Sequence, residues 1–173
     1  KSNLSVEEQI FKFANKRNRS YTKSAINSNL VCSIGSLELL DKFYLLYLQN
    51  MKELGTPPLS KKYFKKIIEK LPQTAKILLV KNDKKVCCGM LILKVLKTEL
   101  FVPIISTPRL YQEGQSSHLI YLQAAREAQN LGCSVINFGR SIDGSGPALF
   151  KKRFGLEATP LLMYSPNENW TVT

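Results

Sequence analysis

The sequence predicts a mixed α/β fold, and three observations lead to that prediction. The chain has 173 residues, 44% hydrophobic and 22% charged, which is enough apolar material to bury a core and argues against disorder. Helical patterns precede three consecutive β-rich segments in the middle of the chain. A long helical pattern and a short buried strand then follow, which is typical of an antiparallel sheet extended by one crossover connection.

The first half of the chain predicts helices around one strand. Apolar residues at helical spacing in SVEEQIFKFANKRNRSYTKSAINS indicate a leading amphipathic helix, and NLVCSIG indicates a short strand that ends at Gly35. The next helix is predicted to have Ser36 as its N-cap and to stop at Gly55. The rigid turn TPPLS leads into a basic helix that begins near Ser60.

The second half predicts most of the sheet. KILLVKND, KVCCGMLILKVL and ELFVPIIST indicate three strands, and Pro103 inside the third predicts either a bulge or an edge strand, since proline has no N–H to donate. GQSSHLIYLQAAREAQNLG predicts the main helix, CSVINFG a buried strand, GPALFKKRFG a short helix and TPLLMYS a last strand. The predicted order is β-α-α-β-β-β-α-β-α-β after the leading helix. We divide the chain into a basic helical segment over 1–28 and one domain over 29–173.

Charge and cysteine usage restrict the classes of function. The formal net charge is +12, and eleven lysines between Lys61 and Lys97 face only Glu69 and Asp83. This basic stretch is either a solvated helix face or a surface for RNA, a phosphorylated substrate or an anionic membrane. With four cysteines, no Cys-x-x-Cys pair and one histidine, we expect no metal site and reduced thiols, as in the cytoplasm.

The segment FGRSIDGSGPALFKKRFG carries the residues that packing alone explains least well. Its glycines let the backbone turn sharply after a strand and approach a ligand, and Arg140 offers a two-pronged donor to an anion. The alternative for Arg140 is an ion pair with a carboxylate, either Asp143 or Glu157. The sequence leaves both readings of Arg140 open.

Two stretches resemble one known family. NMKELGTPPLSKKYFKKI (50–67) and FGRSIDGSGPALFKKRFGLEATPLLMY (138–164), together with the element order, resemble the FemAB-related proteins, which have the GNAT-type acyltransferase fold. These proteins are relatives of the aminoacyltransferases that build peptidoglycan cross-bridges, and some occur in exopolysaccharide gene neighbourhoods. Family members usually carry two GNAT-like domains, and KRNRSYTKSAINSNL resembles the basic segment before the second. Because this chain begins with Lys and has the length of one domain, we expect it to lack an N-terminal GNAT-like domain.

The resemblance implies acyl transfer to an amine. In this fold two central strands splay apart, and the acyl donor lies in the gap between them. We expect backbone N–H groups from Ile104 to Ser106 to face the donor carbonyl. Lys151 matches the lysine of the family's Phe-Lys pair, which implies a cation that stabilises the tetrahedral intermediate or holds a donor phosphate. The alternative for Lys151 is an ordinary surface lysine.

The remaining candidate residues are expected to bind the substrates. Aminoacyl-tRNA is the donor that the resemblance implies, and acyl-CoA is the alternative; neither is a tightly bound cofactor. RLYQEGQSSHL occupies the place of the phosphate loop of CoA-using relatives but lacks its full spacing, although a helix start there can hold a phosphate. His118 is either a general base or a structural histidine. The substrate-binding candidates are Gly114, Ser116, Ser117, His118, Gly139, Arg140, Ser141, Gly144 and Gly146.

The predicted function is therefore transfer of an aminoacyl or acyl group to an amine of a cell-envelope or exopolysaccharide precursor. It would take place in the cytoplasm, with contact to the inner membrane surface as a further expectation. No apolar run approaches the roughly 20 residues that span a bilayer. Two alternatives are an acetyl-CoA-dependent N-acetyltransferase of a small amine, and a non-catalytic module that binds a polyanion or a protein partner.

Overall fold

The computed structural model describes residues 5–83, 85–111 and 115–161. These residues form six α-helices: α1 Val6–Phe13, α2 Lys16–Ile26, α3 Leu40–Leu54, α4 Lys61–Lys70, α5 Ser116–Asn130 and α6 Gly146–Arg153. They also form five strands: β1 Leu30–Gly35, β2 Ala75–Asn82, β3 Lys85–Lys94, β4 Glu99–Ser106 and β5 Val135–Asn137. Short 3-10 turns at Leu37–Leu39 and Arg109–Tyr111 precede α3 and α5.

The strands form one mixed sheet in the order β1-β2-β3-β4-β5. Strands β1 to β4 are antiparallel neighbours, and β5 pairs parallel with β4 after the crossover through α5. This arrangement confirms the predicted mixed sheet with an antiparallel middle. The order of helices and strands from β1 to α6 also agrees with the prediction.

Helices cover both faces of the sheet, as the continuous apolar run over 77–80 in β2 requires, because successive side chains of a strand point to opposite faces. Leu78 and Val80 belong to the core beneath α5, which also includes residues of α1, α2 and α6. Ile77 and Leu79 point the other way, into the core beneath α3 and α4. We call these two sides the α5 layer and the α3/α4 layer.

The predicted single leading helix is wrong, because the segment forms two helices. Ser5 caps α1 by accepting from the Glu8 N–H, and α1 ends at Ala14, whose backbone is extended. Asn15 then caps α2 by accepting from the Asn18 N–H at 2.9 Å. An asparagine side chain that competes for backbone N–H groups breaks a helix more readily than the apolar spacing suggests.

Two further details of the prediction differ from the structure. The Ser36 side chain does not cap a helix. Instead the backbone N–H of Ser36 donates to the Glu38 carboxylate at 2.8 Å, and the chain enters α3 through a 3-10 turn. Residues 159–161 of the predicted last strand are not in a strand, and the rest of that segment lies outside the described residues. By contrast, Ser60 caps α4 and Gly55 ends α3 as predicted.

Pro103 produces a bulge. Leu91 of β3 pairs with Ile104 of β4, but Leu93 pairs with Phe101, so one residue of β3 faces two residues of β4. The extra residue reverses the alternation: Val102 lies in the core of the α5 layer, whereas Ile104 packs against that of the α3/α4 layer. The bulge alternative is therefore the one that the structure adopts.

Strand β5 accompanies β4 for only three residues. The last pair joins Phe101 to Asn137, just before the bulge, and β4 continues to Ser106 with β3 alone beside it among the described residues. The two strands thus separate at the bulge. This separation confirms the predicted splayed central strands.

Candidate functional site

The opening between β4 and β5 is bounded on one side by the end of β4. Ile104 and Ile105 are half-buried there, and Ser106 is fully buried. The Ser106 hydroxyl has no hydrogen-bond partner among the described residues. Because β5 no longer pairs with β4 at these positions, the edge of β4 that faces away from β3 has no strand beside it among the described residues, as the fold prediction requires.

The other side of the opening is the loop that follows β5. Gly139 has a φ of 65°, and a Cβ there would lie 3.2 Å from the Val102 carbonyl oxygen. Only glycine combines this left-handed backbone with so close an approach to β4. Phe138 stacks on Tyr121 of α5 with ring centroids 4.5 Å apart, which fixes the loop against the α5 layer.

Lys151 holds this loop in place. Its Nζ donates to the Phe138 carbonyl at 2.6 Å, to the Gly139 carbonyl at 2.9 Å and to the Ser141 hydroxyl at 2.9 Å. These contacts occupy all three donors of the ammonium group. Partial burial lowers the pKa of Lys151. Lys151 is thus neither an ordinary surface lysine nor, in this structure, a free cation: it fixes the backbone at the mouth of the opening.

The rest of the glycine-rich segment is exposed. Arg140 lies at the surface and forms no ion pair with Asp143 or Glu157 in the part of the chain that the structure describes. Asp143 instead accepts from the Gly144 N–H at 3.0 Å. Ser145 caps α6 by accepting from the Ala148 N–H at 3.3 Å, which places Gly146 at the first helical position.

The serines at the start of α5 bond to the chain itself. Ser116 is buried, and its hydroxyl donates to the Tyr111 carbonyl at 3.4 Å. The Ser117 hydroxyl lies 3.4 Å from the Thr107 hydroxyl, next to the end of β4. Any ligand here would therefore meet the backbone N–H groups of the first turn rather than these hydroxyls. Gly114 lies outside the described residues.

His118 lies in the interior between α2, α5 and α6. Burial lowers the pKa of His118 to about 4, so the ring is neutral at pH 7. Its Nε2 is 3.3 Å from Asn18 Oδ1, and its ring packs edge-on against Phe150 with centroids 5.1 Å apart. These surroundings favour the structural alternative for His118 over the general base.

Sequence reasoning missed one group of residues. A cleft of about 280 Å³ lies between α2, α5 and α6, and its lining includes His118 and Gly146 together with Arg17, Asn18 and Arg153. Two of the predicted substrate-binding residues thus share a cleft with five residues that the predicted binding set omits, the other two being Tyr21 and Phe150. The one available signal is the basic sequence KRNR, which predicts a basic leading helix and resembles the family's interdomain segment but does not by itself indicate a cleft.

The chain was compared with known protein families, sequences and structures, and only the structures gave matches. No family model matches the sequence, and no curated protein matches it. Among solved structures the chain is similar to FemX, with a TM-score of 0.76 at 14% identity over 86% of this chain. It is also similar to the aminoglycoside acetyltransferase AAC(6')-Iy bound to a CoA-linked bisubstrate analogue, with a TM-score of 0.63 at 10% identity over 82% of this chain and 99% of that one. A GNAT family acetyltransferase from Staphylococcus aureus gives a TM-score of 0.54 at 12% identity, with 80% and 100% covered.

The chain has the GNAT fold. It spans 56% of the FemX chain but nearly all of each acetyltransferase. No helix among the described residues is long and apolar enough to cross a membrane.

Proposed function

We propose that this chain is an acyltransferase domain that moves an aminoacyl or acyl group onto an amine of a cell-envelope or exopolysaccharide precursor. The observation that carries this proposal is the separation of β5 from β4 after Phe101, with Lys151 bound to the loop that forms the far side of the opening. The similarity to FemX supports an acyl transfer of the FemAB-related kind over other reactions of the same fold.

The chemistry needs no nucleophile from the protein. The acceptor amine attacks the donor carbonyl carbon, negative charge develops on the carbonyl oxygen, and the ester oxygen or thioester sulfur leaves with the proton that the amine gives up. N–H groups of β4 between Ile104 and Ser106 would stabilise that oxygen. They are candidates because the bulge and the departure of β5 leave this edge without a neighbouring strand.

Lys151 would act at the mouth of the opening. In the described structure its ammonium holds the loop, so its first role is to position Gly139 and Arg140 beside β4. To contact the donor directly it would release one acceptor, and the Ser141 hydroxyl is exposed and can turn to water. Arg140 would bind a negatively charged part of the donor or the acceptor, because no carboxylate among the described residues engages it.

The donor in this proposal is an aminoacyl-tRNA. The net charge of +12 suits a polyanionic donor. Three of the positive charges, on Lys62, Lys66 and Lys70, lie on the exposed surface of α4. Because the chain spans 56% of FemX, a second GNAT-like domain is part of the proposal, and so is contact with the membrane surface where the acceptor would be found.

A second candidate is an acetyl-CoA-dependent N-acetyltransferase of a small amine. The similarity to AAC(6')-Iy, solved with a CoA-linked analogue, favours it, because this chain matches 99% of that protein without any further domain. The first turn of α5 would hold the donor phosphates in this case.

Calorimetry with this chain distinguishes the candidates. Acetyl-CoA, charged tRNA and uncharged tRNA are titrated separately in moderate salt. Tighter binding of the charged tRNA than of the uncharged one supports the aminoacyltransferase, and micromolar binding of acetyl-CoA supports the acetyltransferase. Equal, salt-sensitive binding of both tRNAs without acetyl-CoA binding contradicts both and indicates a non-catalytic module that binds polyanions.

A further inference from the structure

The cleft between α2, α5 and α6 is built from three separate parts of the chain. Arg17 and Asn18 come from the first turn of α2, His118 from the first turn of α5, and Gly146 and Arg153 from the two ends of α6. The ends of α2 and α6 are tied together, since the Asn15 N–H donates to the Arg153 carbonyl at 3.0 Å. The cleft therefore depends on the packing of the leading segment against the rest of the domain.

The cleft carries positive charge from two arginines, Arg17 and Arg153. Arg17 Nε donates to the Tyr21 hydroxyl at 2.9 Å, and its guanidinium lies 5.3 Å from the centre of the Tyr21 ring, which orients it at the cleft. In the described part of the chain neither Arg17 nor Arg153 pairs with a carboxylate. Gly146 occupies the first position of α6, where its N–H has no intrahelical acceptor and the positive end of the helix dipole lies.

Two buried side chains beside these charges each have one polar atom without a hydrogen-bond partner among the described residues. Asn18 is 5% exposed and His118 is 9% exposed, and both line the cleft. Although they contact each other through Asn18 Oδ1 and His118 Nε2, Asn18 Nδ2 and His118 Nδ1 have no hydrogen-bond partner among the described residues. A buried polar atom without a hydrogen-bond partner destabilises the fold, so a ligand that bonds to both atoms is favoured.

We propose that this cleft is a phosphate-binding site. Phosphate oxygens would accept from the Arg17 and Arg153 guanidinium groups, the Asn18 amide and the Gly146 N–H. A hydroxyl on the phosphorus would donate to Nδ1 of the neutral His118 ring. Asn18 Nδ2 and His118 Nδ1 are buried in the described structure. Binding therefore includes a local rearrangement of side chains that exposes these two atoms to the phosphate. The proposal does not rest on acyl transfer, since a non-catalytic domain would keep the same cleft.

Calorimetric titration of the chain with inorganic phosphate tests this site. The double variant Arg17→Gln, Arg153→Gln should lower phosphate affinity by at least about tenfold, as the loss of two charge-assisted hydrogen bonds implies. The matched control is Lys16→Gln, Lys152→Gln, which removes the same charge from adjacent exposed positions outside the cleft. The affinity of this control should stay within about twofold of that of the unmodified chain, because salt screens exposed charges that do not contact the ligand.

Two further ligands sharpen the test. Sulfate has no proton to donate to His118 at neutral pH and should bind more weakly than phosphate. Adenosine monophosphate shows the source of the phosphate: tighter binding than inorganic phosphate indicates a nucleotide, and equal binding indicates free phosphate. The proposal is overturned by absence of phosphate binding up to about 10 mM. Equal loss of affinity in both double variants, or equal binding of sulfate and phosphate, would also contradict it.

Discussion

The two faces of the sheet are built differently. The α3/α4 layer is closed by aromatic rings, with Phe64 fully buried and packed edge-on against Phe43 and Tyr47 at centroid distances of 5.5 and 5.0 Å. The α5 layer buries five polar side chains among its apolar contacts, Asn18, Thr22, Ser116, His118 and Glu127, whereas α3 and α4 bury one, Asn50. Burying such groups destabilises the fold unless each has a hydrogen-bond partner. Stability alone therefore does not explain a layer that contains several of them.

The polar groups of the α5 layer fall into two kinds. Some are fully satisfied, such as Glu127, whose carboxylate accepts from Lys76 of β2 at 2.5 Å. Others are not, and the unsatisfied atoms of Asn18 and His118 lie beside the cleft. The α3/α4 layer thus behaves as a scaffold, whereas the α5 layer carries the loop held by Lys151 and the cleft.

The largest expected effect comes from breaking the scaffold. Phe64→Ala should lower the free energy of unfolding by about 3–5 kcal/mol, because it leaves a cavity in a dry, closely packed core. Urea denaturation measures the loss. Phosphate affinity of the folded fraction should not change, since Phe64 lies on the opposite side of the sheet from the cleft. A change in affinity would show that the two layers are coupled.

A smaller effect should follow from lowering the pH, and it should come from the α5 layer. The pKa of His118 is about 4 in the folded chain, below the ordinary value of 6.5 that it regains on unfolding. The unfolded chain therefore binds the proton more readily, and stability is complete above pH 6.5 and falls as the pH drops toward 4. We expect a loss of about 2 kcal/mol between pH 7.5 and pH 5, measured by urea unfolding.

His118 is the only histidine in the chain, which makes its variant a clean control. In His118→Gln the stability should be nearly independent of pH between 5 and 6.5, a range that lies between the two pKa values above. If the variant kept the full slope, the buried-histidine account of the α5 layer would be wrong.

The smallest effect on stability, and the largest on activity, should come from Lys151. Lys151→Met removes three hydrogen bonds but keeps the apolar stem, so we expect a loss of about 1 kcal/mol and a loosened loop over 138–141. Turnover with the donor found by calorimetry should fall far more than stability. Amide hydrogen exchange of residues 138–141 gives the structural readout.

Lys152→Met is the matched control for Lys151. Lys152 is exposed on the same helix and should leave stability, exchange and turnover unchanged within error. Unchanged turnover in Lys151→Met, together with faster exchange in the loop, would restrict Lys151 to a structural role and remove it from the chemistry.

Much of the fold could be predicted because its signals are local. A few neighbouring residues decide each of three features: the apolar run of β2, the N-cap of α4 at Ser60 and the end of α3 at Gly55. The break between α1 and α2 is also local, but the apolar spacing predicts one longer helix, whereas the Asn15 side chain caps a second one. Pro103 allowed two readings, because a proline shows only that a ladder bond is missing and does not show where the neighbouring strand ends.

The candidate site could be predicted only in part. The sequence indicated Lys151 and the loop from Gly139 to Ser141, but not that the lysine would bind that loop. It also gave no reason to place Arg17 near Arg153, since the two residues are brought together only when the leading segment packs against α6.

The sequence by itself determined the kinds and order of the helices and strands from β1 to α6, and the resemblance to an acyltransferase family. Helix periods, caps and turn residues act over a few positions, so they can be found in any short stretch of chain. The tertiary structure alone decided which face each residue of β4 takes after the bulge, which groups Lys151 binds, and that Asn18 meets His118 a hundred residues later. Those contacts follow from how helices cross the sheet, a geometry that no local pattern encodes.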